Sequence, residues 1–401
     1  MRDSIVAKFL KLEAASGIIL FVMALAALIL CNSPAAEAYQ RLWQVGIAIH
    51  VGSYALAEPL LFWVNEGLMT LFFLMVGLEL KREFLEGELA TIKQVILPAV
   101  AAAGGMLVPA LIYCAINSQN PETITGWAIP VATDIAFALG VLALFGNRIS
   151  QGLRLFLMAL AIFDDIGAIL IIAFFHTGAL SYQSLGLAIA AVALLFLLNK
   201  LGVRRLLPYL LVGLVLWLCV LKSGVHATVA GVILAFMIPL KKEAGEALGP
   251  SQRLEGILHP WVAYLVMPLF ALANAGVSLA GFSAAIVLDQ VTLGILCGLL
   301  IGKQIGVLLF SWLAVQFRLA ALPENTTWFE LYAVAILCGI GFTMSLFLGT
   351  LAFAGSHSIY LVEVRVGVLL GSLLSGVMGA LMLQIALLKK AGRERCRLDR
   401  R

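Results

Sequence analysis

Long apolar runs separated by short polar breaks dominate the chain. A helix needs about 20 mostly apolar residues, range roughly 17–25, to cross the hydrocarbon of a bilayer. Twelve segments come close to that length or exceed it, centred on 14–32, 59–79, 94–116, 127–146, 153–175, 183–199, 206–221, 224–240, 258–277, 290–315, 329–351 and 360–388. Alternation every second residue is not the dominant pattern, which argues against a transmembrane barrel. The connections are short, so the pattern predicts an all-α polytopic membrane protein folded as a single integral membrane domain over 1–401. The longest outward connection is Asn32–Glu58. Within it Gly46–Ala57 alternates loosely around Val51-Gly52-Ser53, a pattern that fits a small β-hairpin or an irregular loop.

Composition removes several classes. Hydrophobic residues make up 62% and charged residues 12% of the chain, against roughly 25% charged in soluble domains. A soluble enzyme, a disordered chain and a nucleic-acid binder are excluded. The six cysteines show no CxxC or Cys/His ligand spacing, so neither a disulfide framework nor a zinc site is indicated. Arg2, Lys8 and Lys11 precede the first apolar run, and Ala36-Glu37-Ala38 resembles a cleavage site. The run Ala14–Leu30 nevertheless exceeds the roughly 7–15 residues of a signal-peptide core, and a retained first helix is expected. Of the 26 Lys and Arg residues, all but Arg41, Lys222, Lys303 and Arg365 fall at the N-terminus, after even-numbered spans or in the C-terminal tail. Positive charge stays cytoplasmic, which predicts that both termini face the cytoplasm.

Four of the charges that fall inside spans stand out. Asp134 follows Thr133, Asp164 and Asp165 are adjacent, and Lys303 sits between Gly302 and Gln304. Each such charge costs about 2.5–3.5 kcal/mol on insertion scales and marks function by default. Asp134 or Lys303 alone fits a structural ion pair between helices as well as a transport role. Neighbouring helical residues project about 100° apart, so Asp164 and Asp165 are expected to face a wet cavity or partners within the bundle. Carboxylate oxygens suit a small hard cation. Protons then compete with the cation for the same oxygens, and a site open to one side at a time couples the two movements.

Spans four and eleven each carry breakers and small polar residues: Pro130, Thr133, Asp134 and Gly140 in one, Cys338-Gly339-Ile340-Gly341-Phe342-Thr343 in the other. Gly104-Gly105 recurs against Gly302 and Gly306, and the Asp164 region against Arg365. An offset of seven spans reverses orientation, so spans 3–5 and 10–12 read as an inverted repeat with two interrupted helices, a signature of secondary transporters. The plainer alternative is that membrane helices are rich in glycine. Half-helix ends in the membrane want charge, an anion at the N-terminal end and a cation at the C-terminal end, and Asp134 and Lys303 have the matching signs.

The stretches Phe72–Glu83, Ala132–Gly140, Ala159–Ala168, Lys222–Thr228 and Cys338–Ser345 together closely resemble the NhaA-type sodium/proton antiporters, in order over nearly the whole chain. The resemblance implies twelve helices, with the fourth and eleventh unwound and crossing. It implies sodium or lithium binding at Asp164 and Asp165, with Thr133 and Asp134 nearby. Lys303 becomes charge compensation and a candidate partner of Asp164. The resemblance also implies a bacterial inner-membrane protein that carries Na+ or Li+ against H+ without a cofactor. A homodimer joined through the first-loop hairpin near 46–57 is expected with it. pH regulation falls on Glu79, Arg82, Glu83, Arg253, Glu255 and His259. His226 is either a further pH-responsive group or an interfacial histidine with an ordinary hydrogen bond, and His50, His176 and His357 show no partner pattern. The chain departs from the family at Gln304, where many members carry Pro, and around Gly256, where more histidine is expected.

If Asp164 and Asp165 both carry protons before sodium binds, one sodium displaces two protons and the exchange is electrogenic. Three rivals fit less well. An intramembrane aspartyl protease calls for a Gly-x-Gly-Asp pattern, which the chain lacks. A channel filter is usually built from rings of several subunits. Proton symport of a different solute calls for a large polar pocket, and the sequence suggests none.

Overall fold

A computed structural model describes residues 5–51, 54–87, 92–175, 180–242, 248–278, 284–355 and 358–398. The hairpin tip Gly52-Ser53 and the histidines His176 and His357 lie outside the described residues. The chain opens with helix α1 (Ile5–Cys31), a short helix α2 (Ala36–Gln44) and strands β1 (Gly46–Val51) and β2 (Tyr54–Pro59). The strands pair antiparallel from Gly46↔Pro59 to Val51↔Tyr54, so the first connection does contain a hairpin. There follow α3 (Leu60–Leu85) and α4 (Ile92–Asn117), then a 3-10 segment, Thr123–Val131, and α5 (Ile135–Ala143). Next come α6 (Gln151–Phe175), α7 (Tyr182–Lys200), α8 (Leu206–Ser223) and α9 (Thr228–Met237). The last helices are α10 (Pro250–Asn274) and α11 (Gln290–Gln316), then α12 (Trp328–Leu337), α13 (Phe342–Ala352) and α14 (Ser358–Leu398).

Among the described residues nine helices are long and apolar enough to cross a membrane, and two bent pairs raise the number to eleven. One pair is Ala15–Cys31 with Ala36–Gln44, bent by 113°, and the other is Trp328–Leu337 with Phe342–Ala352, bent by 44°. The segment expected over 224–240 is helical only from Thr228 to Met237. Gly224 closes α8 in the left-handed conformation with φ 88°, and Ile238 is extended. An apolar run records composition and not backbone conformation, so its ends overstate the helix.

Two compact units divide the chain: Met1–Phe21, Thr91–Ala168 and Gly281–Arg401 form one, Val22–Ala90 and Ile169–Ala280 the other. In the first unit α4 and α11 touch backbone to backbone. A Cβ added at Gly104 would strike the Gly306 carbonyl, and one at Gly306 would strike the Gly104 carbonyl. Gly302 likewise lies on Pro109. In the second unit Gly231 of α9 lies on the backbone of Thr70 and Leu74 in α3. Helices α3 and α10 each contain a π turn, Trp63–Leu68 and Val262–Val266. Polar pairs tie them at both ends. Asn274 Nδ2 donates to Asn65 Oδ1 at 2.8 Å, and Arg82 Nε donates to Glu255 Oε1 at 2.9 Å.

Candidate functional site

The backbone fails to continue as helix at two places, and those two places meet. Between the 3-10 segment and α5, Ala132 and Asp134 are extended. Between α12 and α13 the chain turns at Cys338–Gly341. The Asp134 N–H donates to the Ile340 carbonyl at 2.7 Å. The Thr133 hydroxyl lies 2.9 Å from the Cys338 carbonyl, and Ser345 Oγ donates to the Ile129 carbonyl at 2.7 Å. Each break leaves backbone groups without helical partners, and these bonds satisfy several of them across the pair.

Asp134 serves both α5 and α13. As the N-cap of α5 it accepts from the Phe137 N–H through Oδ1 at 3.0 Å. Its Oδ2 accepts from the Thr343 N–H at 3.1 Å and from the Thr343 hydroxyl at 2.5 Å, in the first turn of α13. One carboxylate therefore faces two helix N-termini, where the backbone dipoles favour negative charge. Asp134 is buried, as is Thr343.

Lys303 and Asp164 form an ion pair with no exposure on either side chain. Lys303 Nζ lies 2.6 Å from Asp164 Oδ2. The Thr133 hydroxyl lies 2.6 Å from the same oxygen, and its single proton serves either Asp164 or the Cys338 carbonyl at one time. Asp164 Oδ1 is buried and has no hydrogen-bond partner among the described residues. The Lys303 side chain passes Gly105 of α4, where an added Cβ would make an ordinary 3.8 Å contact with the ammonium and a tight 2.9 Å contact with Val307. Asp165 is buried beside Asp164. The structure thus brings Thr133, Asp164 and Lys303 into direct contact and attaches Asp134 to the adjoining break.

The charges read as pH-responsive lie in the second unit. Arg82 bridges Glu255 at 2.9 Å and Glu83 at 2.8 Å, and Glu83 is buried. Gln252 Nε2 donates to Glu86 Oε2 at 2.7 Å, a separate polar contact. Glu79 lies on α3 one turn before Arg82, His259 on α10 one turn after Glu255, and Arg253 is exposed. His226 stands elsewhere, with Nδ1 3.2 Å from Glu66 Oε1.

Several polar groups have partners that the sequence does not indicate. Thr343 and Ser345 belong to the interrupted stretch of span eleven, but nothing in the sequence assigns their hydroxyls a partner. Lys81, one of the basic residues that follow span two, is buried and donates to the carbonyls of Phe236 and Ile238 at the end of α9. Glu330 is buried at the start of α12, where its carboxylate accepts from the Thr327 N–H at 2.7 Å and from Lys390 Nζ at 3.0 Å. The Thr327–Glu330 capping box fits the general S/T-x-x-E pattern. That pattern was the one available clue.

The family model described as Na+/H+ antiporter 1 matches residues 7–383. The chain is 56% identical over 376 residues to Na(+)/H(+) antiporter NhaA 1 of Pseudomonas putida, covering 94% of each chain. It is 56% identical over 387 residues to Na(+)/H(+) antiporter NhaA of Rhodospirillum rubrum, covering 95% of this chain and 97% of that one. It is 55% identical over 383 residues to Na(+)/H(+) antiporter NhaA 1 of Syntrophotalea carbinolica, covering 96% of each.

Proposed function

Because the chain belongs to the Na+/H+ antiporter 1 family, we propose that it exchanges sodium for protons across a bacterial inner membrane. The observation that carries this reading is the buried Thr133–Asp164–Lys303 contact beside two broken helices. The finer reading assigns twelve membrane crossings, with α9 as a short one, an inverted repeat of spans 3–5 and 10–12, and both termini in the cytoplasm. The protein exports Na+ or Li+ and imports H+ by alternating access. A homodimer forms through the β1–β2 hairpin.

The cation binds oxygens of Asp164 and Asp165, with Thr133 nearby. Asp164 Oδ1, which no protein donor occupies among the described residues, is a natural first ligand for a hard cation. Sodium displaces the Lys303 ammonium from Asp164, and the released lysine gives up a proton. Asp165 gives up the second proton. The proton-loaded site then holds Lys303 positive, Asp164 negative and Asp165 neutral. The sodium-loaded site holds two carboxylates, one cation and a neutral lysine. The two forms differ by one charge, so two protons enter for each sodium that leaves and the exchange is electrogenic. Asp134 stays out of the cycle and holds the half-helix dipoles. Arg82, Glu83 and Glu255, with Glu79, Arg253, His259 and His226, set the pH at which exchange begins.

The test is purified protein in liposomes with an imposed proton gradient. Sodium is expected to dissipate that gradient, with an apparent KM for sodium that falls as pH rises, since protons occupy the same oxygens. A proton gradient indifferent to sodium from mildly acid to alkaline pH would overturn the reading.

A further inference from the structure

Helix α14 does not end where its apolar stretch ends. Its membrane-length stretch closes at Lys390, yet the helix continues to Leu398. The continuation carries Lys389, Lys390, Arg393, Arg395 and Arg397 against a single acid, Glu394. Lys389, Arg393 and Arg397 recur every four residues and share one face of a helix.

Three contacts fix the root of this segment. Lys390 Nζ binds Glu330 Oε1 at 3.0 Å and the Asn325 carbonyl at 2.7 Å. Lys389 Nζ lies 4.3 Å from the centre of the Phe329 ring. Phe329 and Glu330 lie in the first turn of α12 and Asn325 just before it, so the start of one broken helix holds the point where α14 leaves the membrane. With a rise of about 1.5 Å per residue, Arg393 stands some 5 Å beyond that point and Arg397 some 11 Å. The polar layer on each side of a bilayer is about 5–8 Å deep. The basic positions therefore run from within the headgroup layer to just outside it, inside a Debye length of about 8–10 Å.

We propose that the Lys389–Arg397 segment of α14 is a docking surface for the anionic phosphate headgroups of the leaflet into which α14 emerges. The proposal rests on reading α14 as a membrane span and is independent of which ions the protein exchanges. Charge complementarity selects this occupant. Basic clusters flanking a membrane helix attract anionic lipid, by about fivefold in partition per residue near the surface. A zwitterionic headgroup offers no net charge to the cluster.

The test uses the full chain in detergent micelles and counts retained lipid by native mass spectrometry, with phosphatidylglycerol and phosphatidylcholine supplied at equal concentration. Wild type is expected to retain phosphatidylglycerol several-fold over phosphatidylcholine. Arg393→Gln/Arg395→Gln/Arg397→Gln is expected to lose most of that preference. The corresponding triple Lys variant is expected to keep it, because charge and not the planar guanidinium is used. Both variants should retain the wild-type unfolding temperature in lipid-free detergent, since Lys390 and Glu330 are untouched. An equal preference in wild type and the Gln variant would overturn the proposal and place any bound anionic lipid elsewhere. Loss of preference in the Lys variant as well would overturn charge attraction as the cause. An acidic protein co-purifying through the same arginines, with phosphatidylglycerol and phosphatidylcholine retained equally, would overturn the lipid in favour of a protein partner.

Discussion

An ammonium 2.6 Å from a carboxylate, with both side chains fully buried, leaves each group dependent on the other. Breaking such a pair from one side costs about 3–5 kcal/mol, because a bare charge remains in a dry site. Lys303→Arg, which restores the charge but keeps its proton, is expected to preserve the unfolding temperature and to lose the proton that Lys303 carries, and Lys303→Leu is expected to lower the unfolding temperature clearly. Unchanged melting for Lys303→Leu would remove the pair from the account. Asp164→Asn is expected to abolish sodium-dependent proton movement in liposomes, since an amide neither offers the cation a charged ligand nor balances the lysine. Asp134→Asn is expected to be milder. Asn remains a good N-cap, and the lost charge at two helix starts is worth roughly 0.3–2 kcal/mol. These side chains were legible in the sequence because a charge in an apolar run stands out. Thr343 was not, because a threonine in a membrane helix costs little, and only the fold shows that its hydroxyl and N–H both serve Asp134.

Helices α4 and α11 are held by the absence of side chains. A methyl group at Gly306 would stand in the backbone of Gly104, and overpacking of a close contact costs about 1–3 kcal/mol. Gly306→Ala is expected to destabilise the protein by that order in thermal unfolding. Gly256→Ala on α10, where a Cβ meets nothing within 4 Å, is expected to be neutral or stabilising by up to about 1 kcal/mol. Equal effects of the two would show that the contact is not close. The sequence offered Gly104, Gly302 and Gly306 as matching positions of two halves, and could not show that Gly104 and Gly306 touch. It also placed the breaks of spans four and eleven correctly, because Pro130 and the Gly339-Ile340-Gly341 run interrupt helical bonding on their own. The ends of α9 were misplaced because apolar residues continue through the turn at Gly224 and the extended Ile238.

For the whole protein, the proposed charge difference between the proton-loaded and sodium-loaded forms predicts an electrical signature. Each net charge crossing the membrane is worth about 2.3 kcal/mol per 100 mV. A potential negative inside is thus expected to drive sodium out even against a reversed proton gradient. Protein adsorbed on a supported membrane is expected to give a transient current on a sodium step, and the current should grow as pH rises from acid. Exchange without current would mean that only one of Asp165 and the Asp164–Lys303 pair changes its proton in the cycle.

The carboxylate of Asp134, shared between the starts of α5 and α13, also limits which displacements the protein can make. Separating the two half-helices would leave one of them without its anion. In the proposed alternating access, α5 and α13 are therefore expected to travel as one kinematic body, with the moving seam elsewhere. The rings of Phe137 and Phe342, 5.7 Å apart at 70°, lie along that shared boundary. A short thiol cross-linker joining Phe137→Cys to Phe342→Cys, in a Cys338→Ala background, is expected to leave sodium exchange running. If the cross-linker halts exchange while the unlinked variant remains active, the two half-helices part company during the cycle.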